Sequence, residues 1–155
     1  MYSYIKDLYK HLWENSPRQK GKRIFISREF AGERRLAMSQ TFVRQLLTLG
    51  FSIYCLETMS FQDQVQLFHS ADIVCGPHGA GLTWITFCEP GTLVCELCPF
   101  MKGKGHYKHI CDSMGFHYAH LFMCSLEGEK EEFKVDELEF FRILGHLVEQ
   151  YTSSA

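Results

Sequence analysis

Short apolar runs alternate with longer amphipathic stretches along the whole chain. Arg23-Ile24-Phe25-Ile26-Ser27, after the turn-like Ser16-Pro17-Arg18-Gln19-Lys20-Gly21, reads as a first strand. From about Met38 to Leu49 the residues Phe42, Leu46 and Leu49 fall on one helical side, and Gly50 stands where a helix C′ residue belongs. Phe51 to Leu56 reads as a second strand. Ser60-Phe61-Gln62-Asp63 is a capping-box-like start to a helix whose Val65, Leu67 and Phe68 can face a core. Ala71-Asp72-Ile73-Val74-Cys75 reads as a third strand that Gly76-Pro77 ends abruptly. A short helix from Leu82 to about Cys88 stops at Glu89-Pro90-Gly91, and Thr92 to Leu97 forms a fourth strand. A helix near Tyr107–Met114, a strand near Phe116–Met123 and a terminal helix capped near Asp136 continue the rhythm.

These strand runs show little polar alternation, which suits strands buried on both faces, hence parallel strands covered by helices. The pattern predicts an α/β fold, a Rossmann-like three-layer sandwich with a parallel sheet of about five strands. The chain has 155 residues, 46% hydrophobic and 22% charged. A chain of that size buries about 68–70% of its unfolded surface, enough for one core. A single domain over 1–155 is expected, with 1–20 as an N-terminal helix and linker. If strand two lies on one side of strand one and strand three on the other, a ligand crevice opens between the ends of strands one and three. Ser27-Arg28-Glu29 and Gly76-Pro77-His78-Gly79-Ala80-Gly81 then meet at one site.

Charge narrows the ligand. Sixteen Lys and Arg against eighteen Asp and Glu give a net charge of -2, without the basic excess of nucleic-acid binding, so any anion site is local. No run approaches the roughly 18–20 apolar residues of a membrane span, and the N-terminus is amphipathic rather than a signal peptide. The chain as given is expected to be soluble. Its seven cysteines are odd in number, irregularly spaced and mostly set in apolar runs. That favours reduced, buried thiols over a disulfide framework and suggests a reducing compartment such as the cytoplasm, or a fragment read out of context.

Gly76-Pro77-His78-Gly79-Ala80-Gly81-Leu82 joins a buried strand to a helix N-terminus, where unpaired N–H groups and the positive end of the helix dipole meet. Glycines at 79 and 81 remove Cβ atoms that would hold a phosphate away. The segment is neither GxGxxG nor a P-loop, and spacing alone leaves a diphosphate cradle and an ordinary tight turn both open. His78 either donates to a phosphate and acts on a leaving group, or merely caps the helix.

The stretch from Phe61-Gln62-Asp63-Gln64 through Ser70-Ala71-Asp72-Ile73-Val74-Cys75-Gly76-Pro77-His78-Gly79-Ala80-Gly81-Leu82-Thr83, with Glu89-Pro90-Gly91-Thr92 and Val94-Cys95-Glu96-Leu97, resembles glycosyltransferase family 61. The resemblance reaches upstream to Ile26-Ser27-Arg28, Arg34-Arg35 and Leu56-Glu57, and covers roughly residues 22 to 98. It implies the nucleotide-binding C-terminal half of a GT-B enzyme that uses a nucleotide sugar, usually a UDP-sugar, with no obligatory metal or other cofactor. Arg28 and one of Arg34 or Arg35 would then face the diphosphate, with His78 as the catalytic candidate. Gly79, Ala80, Gly81 and Leu82 would line the diphosphate. Leu56, Glu57 and Met59 would lie near the base, and Glu96 near ribose or sugar hydroxyls. Guanidinium forks suit the charge that a departing nucleoside diphosphate gains.

Two departures qualify this. Trp84 stands where the family often has a small amide, and no N-terminal catalytic half is expected within these 155 residues, so the resemblance names no catalytic base. The acceptor-binding half is expected to be missing, or supplied in cis by a longer parent or in trans, and such a parent could lie in the ER or Golgi lumen. The alternative function is a non-catalytic nucleotide- or phosphate-binding module of the same fold.

Other features have simpler readings. Cys95-x2-Cys98 with His106-x2-His109 resembles a zinc set, but the pairs are too close and Cys95 lies in an expected buried strand, so core cysteines plus loop histidines is the better account. Lys102-Gly103-Lys104-Gly105-His106 either closes over phosphate or, more simply, is a solvated loop. The acidic run Glu127-Gly128-Glu129-Lys130-Glu131-Glu132 reads as an exposed loop or helix start. His117 and His120, three apart in a strand, should point to opposite faces.

Overall fold

The computed structural model describes residues 2–15, 18, 20–98, 105–129 and 132–154. Ile24, Phe25 and Ile26 leave β1 (Arg23–Ser27) no polar face, and β1 lies inside a five-stranded parallel sheet. With β2 (Phe51–Cys55), β3 (Ile73–Pro77), β4 (Leu93–Leu97) and β5 (His117–Leu121), the order is β2-β1-β3-β4-β5. The chain therefore grows to one side of β1 and then to the other, and the switch falls between β1 and β3 as the crossover argument requires.

Helices cover both faces. On one, Ile24, Ile26, Val74 and Val94 meet α1 (Tyr2–Leu8), α3 (Phe61–His69), a 3₁₀-helix (Ala80–Phe87) and α4 (His106–Met114). On the other, Phe25, Ile73, Cys75 and Cys95 meet α2 (Gln40–Thr48) and α5 (Glu137–Ser154). Side-chain caps hold the starts of α2, α3 and α5: the Ser39 hydroxyl accepts from Phe42 N at 3.0 Å, the Ser60 hydroxyl from Asp63 N at 3.2 Å, and Asp136 from Glu139 N at 3.1 Å. Gly50, just past α2, has φ 76, the left-handed conformation expected of a C′ glycine.

Three elements differ from the sequence reading. First, β3 runs on through Gly76 and Pro77, paired with Glu96 and Leu97, instead of ending at Cys75. Proline's missing N–H does not stop the ladder, because His78 N donates to Leu97 O at 2.7 Å. Second, the helix after the glycines begins at Ala80, and it is 3₁₀ for eight residues. Leu82, Ile85 and Cys88 are all at 1% exposure or less, and a three-residue repeat aligns side chains only in a 3₁₀-helix. Third, two strands not expected from the sequence, β6 (Cys124–Glu127) and β7 (Glu132–Val135), form an antiparallel pair that Phe133 anchors beside Leu36, with exposed Gly128 and Glu129 in a turn after β6. Ser16, Pro17, Gln19, Lys130, Glu131 and the basic loop at Lys102–Lys104 lie outside the described residues.

Trp84 has a packing role. It meets Phe61 and Phe87, ring centroids 5.3 and 5.6 Å away, and Tyr9 beyond α1 closes on Phe61 at 5.0 Å. Lys6 of α1 fastens this layer, its Nζ donating to Cys88 O and Glu89 Oε1, both at 2.8 Å. The seven cysteines are thiols rather than disulfides, and five are buried. Burial pushes the Cys95 and Cys111 thiols up to about 12, so they behave as small hydrophobes. Cys95 points to the face opposite α4, away from the helix that carries His106 and His109. Among the described residues no helix is long and apolar enough to cross a membrane.

Candidate donor site at the carboxyl edge

The carboxyl ends of β1 and β3 bring Arg28 over Gly79. The guanidinium fills the space a side chain would take: a Cβ built on Gly79 would stand 2.8 Å from Arg28 Cζ and 3.3 Å from Nε. The clearance at Gly79 thus admits an arginine to the backbone. At Gly81 it admits Ile26 and Leu56, each 3.3 Å from where a Cβ would lie. Arg28 is held from its other side as well, Nε donating to Arg34 O at 3.0 Å and Nη2 to Glu33 O at 2.9 Å. Arg34 adopts φ 53, a left-handed conformation costing a non-glycine residue about 1–3 kcal/mol, and so presents its carbonyl to Arg28. Burial lowers the Arg28 pKa; Glu57 opposes that and Arg34 adds to it. A guanidinium still keeps its charge at neutral pH.

The two following arginines separate. Arg34 lies beside Arg28, whereas Arg35 Nη2 pairs with Glu132 at 3.1 Å and its carbonyl accepts from Phe133 N, which commits Arg35 to the hairpin. After β2, the turn Leu56–Thr58 carries Glu57 toward Arg28, with Leu56 buried and Met59 packed on the core. Gln64 of α3 fixes that turn, its Nε2 donating to Leu56 O at 2.9 Å and Met59 O at 3.1 Å.

His78 begins the glycine segment. Its ring is edge-on to Tyr107, centroids 5.5 Å apart, and Nδ1 is hydrogen-bonded to Glu96 Oε1. The other Glu96 oxygen accepts from the Tyr118 hydroxyl at 2.5 Å. The Tyr107 hydroxyl donates to Gly79 O at 2.6 Å and latches the segment to α4. Burial raises both tyrosine pKa values, with the Glu96 bond adding to the effect at Tyr118, so both hydroxyls are donors at neutral pH. Leu82 N closes onto Gly79 O at 3.0 Å, while Ala80 and Gly81 lie in the first turn, where a helix offers N–H groups no internal partner. Leu82 itself is 1% exposed and anchors the helix in the core.

Ligand atoms of His78, Glu96 and Cys98 come within 4.8 Å of one another. Glu96 bonds His78 through one oxygen and Tyr118 through the other, so His78, Glu96 and Tyr118 form a hydrogen-bonded cluster. Tyr107 and Tyr118 carry no local sequence signal. Tyr118 becomes legible only through register, since β5 pairs it with Val94 and so sets it diagonal to Glu96 on one face. His117 and His120 do diverge: His117 meets Tyr151 of α5, while His120 bonds Cys98 O at 3.0 Å. A cleft at the opposite, amino edge is lined by Arg18, Lys20, Gly21, Arg23 and Asp72; there Asp72 pairs with Arg18 at 2.6 Å and accepts from Gly21 N, while Arg23 donates to Leu49 O at 2.6 Å.

Comparison with known proteins now bears on this geometry. A beta-1,2-xylosyltransferase of Arabidopsis thaliana is 31% identical over 74 residues, 48% of this chain. The matched part amounts to 14% of that relative's length. The sequence profile of glycosyltransferase 61 matches residues 1–95, which is 95 of 155 positions and includes β1, β3, the glycine segment and the start of β4. A match over more than half its length shows that this chain belongs to glycosyltransferase family 61.

Proposed function

We propose that this chain binds the donor of a glycosyl transfer, a UDP-sugar, at the carboxyl edge between β1 and β3. It would serve as the donor-binding part of a GT-B enzyme that passes the sugar to a hydroxyl acceptor, with the acceptor-binding part supplied in cis or in trans. The observation that carries this is Arg28: a tethered guanidinium laid across Gly79, beside the first-turn N–H groups of Ala80 and Gly81. Cation and N–H groups converge on the place where a leaving diphosphate gains charge, and Arg34 adds a second cation without calling on a metal. His78 adds an imidazole next to the same backbone, and Leu56, Glu57 and Met59 border the crevice on the β2 side, toward the base.

Calorimetry with UDP tests the reading. Arg28→Ala should weaken binding by about 1.5–3 kcal/mol, the range for one hydrogen bond to a charged group. Failure of the unaltered chain to bind UDP would reject the donor role. Release of sugar from the donor by this polypeptide, lost in His78→Ala, would distinguish a transferase component from a binding module.

A further inference from the structure

Glu96 is the one buried charged side chain among the described residues, 5% exposed at the end of β4. A lone carboxylate placed there would cost several kcal/mol, and the fold keeps it by giving each oxygen a donor: His78 Nδ1 for Oε1 and the Tyr118 hydroxyl for Oε2. This burial turns Glu96 inward, to the protein rather than to a sugar hydroxyl. Register supplies the precision. Glu96 pairs with Gly76 across β3–β4, His78 N is pinned to Leu97 O, and Tyr118 reaches Glu96 from the next strand on the same face. The imidazole is therefore aimed by three strands and braced edge-on by Tyr107.

We propose that Glu96 and Tyr118 are positioning residues for His78. Resting on the donor-site reading above, the proposal assigns Glu96 to hold the proton of the neutral ring on Nδ1, so that chemistry toward the diphosphate runs through Nε2. A carboxylate acting on one imidazole nitrogen selects tautomer and orientation together. Tyr118 in turn keeps the carboxylate from rotating away.

The test has two independent readouts on the unmodified 155-residue chain and its variants. Ring ¹⁵N spectra, assigned by the signals lost in His78→Gln, should show Nδ1–H in the unliganded protein. Glu96→Gln should abolish that signature and weaken UDP binding about tenfold. Glu96→Asp should restore part of both, and Tyr118→Phe should keep the signature while weakening UDP binding about threefold. An Nε2–H ring in the unaltered chain, or unchanged spectra and affinity in Glu96→Gln, would overturn the proposal. Should Glu96→Gln fail to fold, unchanged UDP affinity in Tyr118→Phe would overturn it instead. If the unaltered chain does not bind UDP, the donor reading falls, and the ring spectra alone still decide whether Glu96 positions His78.

Discussion

Replacing Gly79 with alanine isolates what the carboxyl edge does with its missing side chain. The backbone at Gly79 is extended, φ 163 and ψ 171, so alanine takes it without strain. The added methyl collides with the Arg28 guanidinium, whose Cζ stands 2.8 Å from it. Arg28 must swing out and give up its bonds to Arg34 O and Glu33 O. Those bonds are partly solvated, so the folding cost should be about 1 kcal/mol, a small shift of the urea midpoint. Under the proposed donor role, the larger effect should fall on UDP. Losing one charged hydrogen bond of about 1.5–3 kcal/mol weakens binding about 10- to 150-fold. The sharpest assay is a double-mutant cycle by calorimetry: if Gly79→Ala acts by displacing Arg28, the double variant with Arg28→Ala binds no more weakly than Arg28→Ala alone. Additive losses, or a Gly79→Ala affinity within about twofold of the parent, would refute the displacement argument.

Three further outcomes follow from the fold. Ile85, fully buried in the 3₁₀-helix, should cost about 2–5 kcal/mol when cut to alanine, read from urea denaturation. Burial lowers the His69 pKa from 6.5, with Glu89 opposing, beneath the stacked Trp13. Between that lowered value and 6.5 the unfolded chain binds the extra proton, so stability should fall as pH drops below about 6.5, and His69→Gln should flatten this dependence. A thiol reagent at neutral pH should label the half-buried Cys55 first and leave the five buried thiols protected; rapid labelling of Cys75 or Cys95 in the folded chain would contradict the sheet register.

Strand order and the meeting of the β1 and β3 ends were legible because they depend on local signals. Ile24–Ile26, Ile73–Cys75 and Val94–Cys95 are unbroken apolar runs, and Ser60, Asp136 and Gly50 mark helix ends with their own chemistry. From those, crossover rules alone bring Arg28 to His78 and Gly79. The hairpin was hidden because its strands are four residues each, and Phe133 is their one buried residue. Its partner Leu36 is distant in sequence. Choosing Arg34 over Arg35 beside Arg28 likewise depends on Glu132, far along the chain, and on a left-handed backbone at Arg34 that no residue type announces. The partners of Glu96 were hidden for the same reason: His78 and Tyr118 reach it across neighbouring strands.

The 3₁₀ form of residues 80–87 sets a ruler behind the glycine segment. Eight residues rising about 2.0 Å each span about 16 Å, where an α-helix would cover about 12 Å, so the loop and the Glu89-Pro90 turn stand about 4 Å farther apart. One inserted or deleted residue would also turn everything beyond it by about 120°, swinging Ile85 or Cys88 from the core to solvent. Length in this segment is therefore as constrained as composition, and natural variation should appear as exchanges of side chain at constant spacing.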